Sequence, residues 1–320
     1  KPYMVYPEII NIWFSPTLCI IIKQVMIKKI KKFIPRVIKD KLLYILLIAK
    51  IRKAKKIFRS APKEPKWLIQ TDLEYLIQKY PIGEVQSYNP SALKNRAKER
   101  VKEMANFMNP SVKKTLELGC YDGMESAELQ LGGKDSTAID IRDWLADEAK
   151  EAGVSHYVMD AHQMEFNDDL FDFIFTYDSF EHFSKPELVF KEAHRVLKKG
   201  GYMYLSFGNC YHSAKALHVS DIINIPYVHL LFDKETLNNY TKNNNLHSIS
   251  YDFINNWTNN QFKELWGNYS GKFKMIKHQE FLNLNNLDII IEYPSCFKSK
   301  TDDFNDLIVN DFKILFKKIN

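Results

Sequence analysis

Three carboxylates lie within, at the end of or directly after short apolar segments in the middle of the chain. Glu117 lies in TLELG, Asp140 ends TAID, and Asp160 follows HYVM. A carboxylate at Glu117 would repel a pyrophosphate and attract an ammonium group, and Asp140 could accept both hydroxyls of a ribose. Asp160 and Ala161 could contact the amino group and a ring nitrogen of an adenine. The residues therefore predict a ligand with an ammonium, a ribose and an adenine.

The turn after Glu117 reads GCYDG, with Gly119 and Gly123 four residues apart. Glycines let a backbone approach a ligand closely, and the start of the next helix directs its N–H groups at the ligand. A dinucleotide site would have GxGxxG, so a nicotinamide cofactor is only weakly supported. A ligand with these three groups and no phosphate is S-adenosylmethionine.

Elements that could position these residues alternate along the chain from Lys113 onward. The alternation of β-rich runs and helical patterns predicts a parallel sheet covered by helices. We expect strands at Thr115 to Leu118, Thr137 to Ile141, His156 to Met159, Phe171 to Thr176 and Tyr202 to Phe207. We expect helices at Ser91 to Met108, Met124 to Leu131, Arg142 to Ala152 and Pro186 to Lys198.

Five motifs between Thr115 and Asn209 together resemble the class I S-adenosylmethionine-dependent methyltransferases, in the broad group that methylates quinones, sugars and small molecules. They read TLELGCYDG, AIDI, VMDAHQMEF, FDFIFTYDSFEHF and ELVFKEAHRVLKKGGYMYLSFGN. The resemblance implies S-adenosylmethionine as cofactor. It implies these cofactor-side residues: Glu117, Gly119, Cys120, Gly123, Asp140, Ile141, Asp160, Ala161 and Tyr177.

One position departs from the family pattern. Tyr121 stands where the family usually has a glycine, so it must tolerate the backbone geometry of the turn, and its ring could cover part of the cofactor. Cys120 beside it is interpreted as a small turn residue rather than a nucleophile.

The resemblance implies a Rossmann-like, seven-stranded, mostly parallel sheet with helices on both faces. Residues 67–320 are assigned to this methyltransferase domain, with its motif core at 113–209 and an acceptor lid inserted at about 208–272. Asp288 to Tyr293 and Phe312 to Phe316 are taken as the final antiparallel pair, with Leu246 to Phe253 competing for the first place. Residues 1–66 are expected to form a separate basic, amphipathic helical extension.

Histidines offer candidate groups on the acceptor side. His182 resembles the histidine of the family's Glu-His element, and it could act as a base, position the acceptor, or be structural. His229 in the lid is a second catalytic candidate. The spacings of His212, His218 and His229 match no compact metal motif, so no metal site is predicted.

The charge is distributed unevenly. The chain has a net charge of +6, but residues 1–66 carry +14 and the remainder −8. The segment from Phe33 to Phe58 combines helical spacing with basic residues, so residues 23–66 could bind an anionic membrane, pack on the protein itself, or bind nucleic acid. The apolar residues of the segment favour the membrane, and no uncharged run is long enough to span it.

These observations predict a cytoplasmic enzyme, peripheral to the membrane, that methylates a hydroxyl of a small-molecule, glycan or lipid-linked acceptor. The IPYVHLLF stretch is weakly similar to enzymes of surface-polysaccharide and glycolipid assembly. Nucleic acid is an unlikely substrate, since TYDSFEH replaces the NPPY or DPPY motif of amino-methylating DNA enzymes. The alternatives are a non-catalytic, cofactor-binding assembly subunit and an RNA or protein methyltransferase. The four widely spaced cysteines predict no disulfide framework.

Overall fold

The computed structural model describes residues 36–83, 89–208 and 210–320. The chain divides into two compact units, Lys1–Lys53 and Ala54–Asn320, whereas the sequence placed a domain boundary after residue 66. Helix α1 (Arg36–Ser60) contains the described part of the first unit. Residues 23–35 of the proposed membrane-binding segment and Asn209 of the last motif lie outside the described residues.

Within the described residues, seven strands form one sheet in the order β3-β2-β1-β4-β5-β7-β6. Strands β1 to β5 pair in parallel, and β7 is antiparallel to both β5 and β6. The strands are β1 Lys114–Leu118, β2 Asp135–Asp140, β3 Ser155–Val158, β4 Phe171–Tyr177, β5 Leu197–Gly208, β6 Phe273–Leu282 and β7 Val309–Lys318. The expected Rossmann-like, mostly parallel sheet is confirmed.

The helices follow or separate these strands. In chain order after α1 they are α2 Gln70–Lys79, α3 Pro90–Ala105, α4 Met124–Leu131, α5 Asp147–Glu151, α6 Pro186–Val196, α7 Val228–Leu231, α8 Lys234–Asn243, α9 Asn259–Asn268, α10 Leu287–Glu292, α11 Pro294–Lys298 and α12 Phe304–Ile308. In the described part of the chain, each helix is too short or too polar to cross a bilayer.

Both faces of the sheet are buried. The alternation along β4 places Ile174 in one apolar cluster and Phe173 and Phe175 in another, because successive side chains of a strand point to opposite faces. Phe190 of α6 belongs to the first cluster and Met104 of α3 to the second. Helices therefore cover both faces, and the carboxyl ends of the strands remain available for a ligand.

The predicted final pair of strands is wrong in its first member. Residues 287–292 form helix α10, in which Leu287, Ile289 and Ile290 are buried. A short apolar run does not distinguish a buried strand from a buried helical turn. Leu246 to Phe253 is not a strand either. The true partner of β7 is β6, a largely exposed strand at the end of the sheet whose polar residues concealed it.

Three predicted helices are longer than those observed, one of them being α3, which ends at Ala105 and not at residue 108. Helix α5 starts at Asp147 rather than at residue 142, and α6 ends at Val196 because β5 begins at Leu197. Helix α3 begins at Pro90, with the side chain of Asn89 accepting a hydrogen bond from the amide of Ala92. The segment between β5 and β6 contains α7, α8 and α9, at the chain position predicted for the acceptor lid.

Candidate functional site

A cavity of about 550 Å³ lies where strands β1, β4 and β5 end. Glu117, Gly119 and Cys120 line it from β1 and the following turn, Tyr177 is the last residue of β4, and Gly208 is the last residue of β5. Open α/β sheets bind their ligands at this edge. The structure thus brings four of the predicted cofactor residues together: Glu117, Gly119, Cys120 and Tyr177.

Glu117 is a buried carboxylate at this cavity, with 3% of the residue exposed. Its Oε2 accepts hydrogen bonds from the amide of Ser126 at 3.1 Å and from its hydroxyl at 2.6 Å. Burial and the nearby Glu125 raise the pKa of Glu117 well above its usual range, although the Ser126 hydrogen bonds oppose the shift. A bound ammonium group would stabilise the ionised carboxylate, so Glu117 fits the amino group of S-adenosylmethionine.

The turn after β1 requires its glycines. Gly119 has φ +66°, and a Cβ there would lie 2.8 Å from the Cβ of Ser179. Gly123 has φ +69°, and a Cβ there would lie 2.2 Å from Cδ1 of Leu145. This close backbone packing leaves room for a ligand beside the turn and fits the cofactor named above.

Tyr121 adopts a left-handed conformation with φ 49°. Its ring lies 5.0 Å from the ring of Trp144 and 4.8 Å from the guanidinium carbon of Arg142. These contacts offset the cost of a left-handed residue, which is about 1–2 kcal/mol. Cys120 beside it is buried, and burial raises the pKa of its thiol, which agrees with a structural role.

Asp140 lies next to this turn. Its Oδ2 accepts a hydrogen bond from the amide of Tyr121 at 3.0 Å, and its Oδ1 accepts one from the amide of Arg142 at 3.0 Å. Oδ1 also accepts a hydrogen bond from Nε of Arg142 at 3.3 Å. Oδ2 keeps a second lone pair for another donor, so these bonds orient the group and leave it able to bind a hydroxyl.

Three other predicted cofactor residues lie beyond the residues that line the cavity: Ile141 after β2, and the predicted adenine contacts Asp160 and Ala161 after β3. Ile141 is 74% exposed and Ala161 is buried. Asp160 accepts hydrogen bonds from the amide and Nδ1 of His162 at 2.9 and 2.5 Å. Burial tends to raise the pKa of Asp160, but these hydrogen bonds outweigh it, and the pKa is lowered. The carboxylate therefore stays ionised.

Helix α3 contributes two arginines that the sequence analysis missed. Arg96 forms ion pairs with Asp122 at 2.6 Å and with Glu125 at 3.2 Å, and Arg100 forms one with Glu125 at 2.8 Å. Arg100 also pairs with Asp178. The spacing of four residues on a helix was the available signal, because it places both guanidinium groups on one face.

Tyr177 is held from the same helix. The guanidinium carbon of Arg100 lies 4.6 Å from the centre of its ring, and the tyrosine hydroxyl donates to the carbonyl of Arg100 at 3.1 Å. Burial raises the pKa of Tyr177, so the phenol stays neutral. Tyr177 therefore contributes a ring wall to the cavity, while its hydroxyl is used in holding α3.

The opposite wall of the cavity is formed by the turn after β4 and by the insertion. Glu181, His182, His218 and Phe253 line it. His182 Nδ1 lies 2.7 Å from the carbonyl oxygen of Phe253. Because a carbonyl oxygen only accepts, Nδ1 carries the proton and the lone pair of the imidazole is on Nε2. Burial lowers the pKa of His182 despite this hydrogen bond, so the ring is neutral.

Glu181 is also buried at this wall, with 2% of the residue exposed. Burial raises its pKa to about 8, although the amides of Glu181 and Gly208 oppose the shift. In the sequence, Glu181 is marked only as the acid of the Glu-His element beside His182. The sequence places His218 in the lid but does not give its distance from His182, because that distance depends on how the insertion folds.

His229 is not brought to this cavity. Its Nε2 lies 2.5 Å from the carbonyl oxygen of Tyr211, and the ring is buried in α7. Burial lowers its pKa to about 4. It lines a separate cavity of about 390 Å³, together with residues such as Tyr80 and Asn283. A catalytic role for His229 therefore has no support from its position.

Comparison with known proteins identifies the central segment. Residues 116–205 match the protein family described as a methyltransferase domain. No curated protein sequence matches the chain.

Among solved structures, the chain is similar to the PH0226 protein of Pyrococcus horikoshii, with 18% identity over 77% of this chain and 98% of that one, and a TM-score of 0.44. It is similar to a SAM-dependent methyltransferase of Methanosarcina mazei, with 16% identity over 68% and 97%, and a TM-score of 0.44. A putative S-adenosylmethionine-dependent methyltransferase of Listeria monocytogenes has 14% identity over 71% and 99%, and a TM-score of 0.46.

The family match begins and ends inside the strands that carry the cavity, since residue 116 lies in β1 and residue 205 in β5. Residues 116–205 therefore match a methyltransferase domain, and the sheet that contains them has the strand order β3-β2-β1-β4-β5-β7-β6.

Proposed function

We propose that this protein methylates a hydroxyl group of a small-molecule, glycan or lipid-linked acceptor. The observation that carries the proposal is the orientation of His182. Its Nδ1–H is bound to the carbonyl of Phe253, which leaves the Nε2 lone pair for a group in the cavity that also contains Glu117. A neutral imidazole with a fixed tautomer suits contact with a hydroxyl donor.

S-adenosylmethionine supplies a methyl group on a sulfonium, and in the transfer the C–S bond breaks, its electron pair goes to sulfur, and a C–O bond forms. Glu117 would hold the amino group of the cofactor, and Asp140 would hold its ribose hydroxyls. His182 orients the acceptor hydroxyl, whose proton passes to water as the C–O bond forms. The remaining task of the chain is alignment and exclusion of water, which Tyr177 and Phe253 assist as aromatic walls.

The test is product analysis. The purified full-length protein is incubated with cell extract and cofactor labelled on the methyl group, and labelled products are identified by mass spectrometry. An O-methylated small molecule, glycan or lipid supports the proposal. Label on a nitrogen, an RNA or a protein contradicts it, and bound cofactor without any transfer favours the non-catalytic assembly subunit.

The proposal includes a location at the cytoplasmic face of a membrane, with α1 lying on the bilayer. Leu43, Tyr44, Ile45 and Leu46 are each more than half exposed. Arg52, Lys53 and Lys56 follow on the same helix and are exposed. Each basic residue near an anionic surface contributes about 1 kcal/mol, and exposed apolar side chains add insertion into the lipid boundary.

Vesicle sedimentation tests this location. Deletion of residues 1–66 is unsuitable, because it removes Ala54 and Phe58, which are fully buried. The full chain carrying Leu43→Gln, Ile45→Gln and Leu46→Gln should sediment less with vesicles containing phosphatidylserine than the unchanged protein does. A control variant with Ile69→Gln, an exposed residue outside α1, should sediment normally. Equal sedimentation of the triple variant contradicts membrane binding through α1.

A further inference from the structure

Three potential metal-binding side chains converge at the acceptor wall of the cavity. Glu181, His182 and His218 each offer one ligand atom, and these atoms lie within 4.8 Å of one another. Glu181 and His182 are adjacent in a short 3₁₀ turn after β4 (Phe180–His182), and His218 comes from the insertion after β5. Two imidazoles and one carboxylate are a donor set of the kind found in catalytic metal centres.

The imidazole of His182 is already oriented as a ligand. Its Nδ1–H donates to the carbonyl oxygen of Phe253 at 2.7 Å, so the lone pair on Nε2 is available. Histidines that bind metals commonly donate their second ring nitrogen to a backbone carbonyl or carboxylate in this way, which fixes the tautomer and the direction of the ring.

Glu181 supplies the second, independent observation. The residue is 2% exposed, and among the described residues no group forms a hydrogen bond with its Oε2. A buried carboxylate oxygen without a partner carries a desolvation cost that a cation would remove. The carboxylate of Glu181 contributes one oxygen to the group of candidate ligand atoms that includes the two histidines.

His218 is held near the other two ligands by an unusual backbone conformation. Its φ is +56°, a conformation that few residues other than glycine adopt, and its amide donates to the carbonyl of Lys215 at 3.0 Å. Its ring lies 5.2 Å from the ring of His182. Such conformations occur preferentially at functional sites.

We infer that Glu181, His182 and His218 bind one divalent first-row transition-metal ion, such as Zn²⁺, Mn²⁺ or Co²⁺. Ligand bonds of about 2.1 Å in a tetrahedral site place ligand atoms about 3.4 Å apart. The present separation of up to 4.8 Å therefore requires only a small closing movement. Imidazole ligands favour transition metals over Ca²⁺ or Mg²⁺.

Three protein ligands leave coordination positions that face the cavity. The role of the ion rests on the proposed function: an acceptor hydroxyl bound at an open position becomes more acidic and releases its proton to water. Its oxygen then attacks the methyl group as the C–S bond breaks. On this assignment the Nε2 lone pair of His182 binds the ion, so His182 orients the acceptor hydroxyl through the ion instead of by direct contact, and proton removal depends on the ion.

The sequence had predicted no metal site, because its histidines match no compact spacing. The ligands proposed here are 37 residues apart at their extremes, from Glu181 to His218, and they meet only because the insertion folds back on the turn after β4.

The experiment measures metal binding in the absence of any acceptor. The full-length protein is treated with a chelator, dialysed, and titrated with CoCl₂, ZnCl₂ and MnCl₂ by calorimetry, with visible absorption as a second readout for Co²⁺. We expect one site, and a visible absorption band for bound Co²⁺. The inference is overturned if the unchanged protein binds none of these metal ions, or if no variant changes the number of ions bound per chain.

Matched variants assign the site. Glu181→Gln keeps the size of the side chain, and His218→Asn keeps a residue type that tolerates positive φ. Each should weaken metal binding by at least about 100-fold, since changes in residues behind a ligand already cost 10–100-fold. His247→Asn, at an exposed histidine outside the cavity, should bind as the unchanged protein does. Equal affinity in all variants overturns the inference.

Two further measurements distinguish loss of the metal site from loss of the fold, and failure of the metal site from failure of the proposed function. S-adenosylmethionine affinity and circular dichroism should be unchanged in Glu181→Gln and His218→Asn, which shows that the fold is retained. Metal binding with a product methylated elsewhere than on oxygen would contradict the proposed function and leave the metal site supported. An O-methylated product without metal binding would contradict the metal site and leave the proposed function supported.

Discussion

Glu117→Gln should weaken S-adenosylmethionine binding and change its dependence on pH. The substitution removes the charge but leaves a carbonyl oxygen that can accept the two hydrogen bonds from Ser126. A hydrogen bond to a charged group contributes about 1.5–3 kcal/mol. At about 1.4 kcal/mol for each factor of ten, the loss corresponds to an increase in Kd of about 10- to 150-fold.

The pH dependence follows from the raised pKa of Glu117 in the free protein. An ammonium group binds the ionised carboxylate, so binding releases a proton while the pH is below the raised pKa. Affinity should therefore increase as the pH rises from the ordinary carboxyl range toward that pKa, and then level off. Glu117→Gln should lack this increase.

Stability without the cofactor should show the opposite trend. A folded-state pKa above the unfolded value means that the native protein binds more protons than the unfolded chain between the two values. The contribution of Glu117 is fully present below its unfolded pKa and is lost as the pH rises through the folded pKa. At neutral pH, Glu117→Gln should therefore unfold at a temperature equal to or above that of the unchanged protein.

Calorimetric titration from about pH 5 to about pH 8, the range in which proteins are usually most stable, measures affinity. Buffers with different ionisation enthalpies give the number of protons released. Glu148→Gln, at an exposed carboxylate on α5, is the matched control and should change neither affinity nor proton release. A pH-independent affinity of the unchanged protein, or equal affinity in Glu117→Gln, would refute the reasoning.

Three other predictions concern the frame around the site. Gly119→Ala should abolish measurable cofactor binding and lower thermal stability by more than Gly133→Ala, because both positions have positive φ but only Gly119 has a neighbour within 4 Å of the added Cβ; equal losses in differential scanning calorimetry would contradict this. Glu103→Gln should cost about 1.5 kcal/mol in urea unfolding, since its carboxylate accepts hydrogen bonds from a lysine of β7 and from a tyrosine of β5; an unchanged midpoint would contradict it. Burial tends to raise the pKa of Asp172, but hydrogen bonds from Lys198 and two amides outweigh it and lower the pKa. The stabilisation by Asp172 is therefore present above the unfolded pKa and is lost as the pH falls through the folded pKa. Asp172→Asn should flatten the acid side of the profile of stability against pH, measured by urea unfolding. A profile parallel to that of the unchanged protein would contradict this.

The residues proposed to hold the cofactor could be grouped from the sequence because they follow one another along the chain. Glu117, Gly119 and Gly123 lie within seven residues, and the regular alternation of strands and helices places Asp140 and Tyr177 at the same edge of the sheet. Short β-rich runs separated by helical patterns predicted β1 to β5 with errors of a few residues at their ends, although β3 is largely exposed.

The acceptor half could not be read in this way. The positions of His218 and His229 depend on how the insertion folds. His218 lines the cavity, whereas His229 is buried against Tyr211. Strand β6 was missed because its exposed residues carry no alternating apolar pattern, and α10 was misread because six apolar-rich residues fit a strand and a helix equally well.

The order of the chain makes the two halves of the cavity separable parts. Glu117, Gly119 and Tyr177 belong to the strands and turns before the insertion, whereas His218 and Phe253 come from one continuous excursion between β5 and β6. His182 connects the two halves, because it follows β4 in sequence and its ring forms a hydrogen bond with the carbonyl of Phe253.

This arrangement has a consequence for how such a protein can change. Replacing the excursion as a block would exchange the surface that selects the acceptor while the turn around Gly119 stays intact. A replacement segment with a backbone carbonyl at the position of Phe253 would keep His182 aligned. Any new segment must therefore place a carbonyl oxygen there.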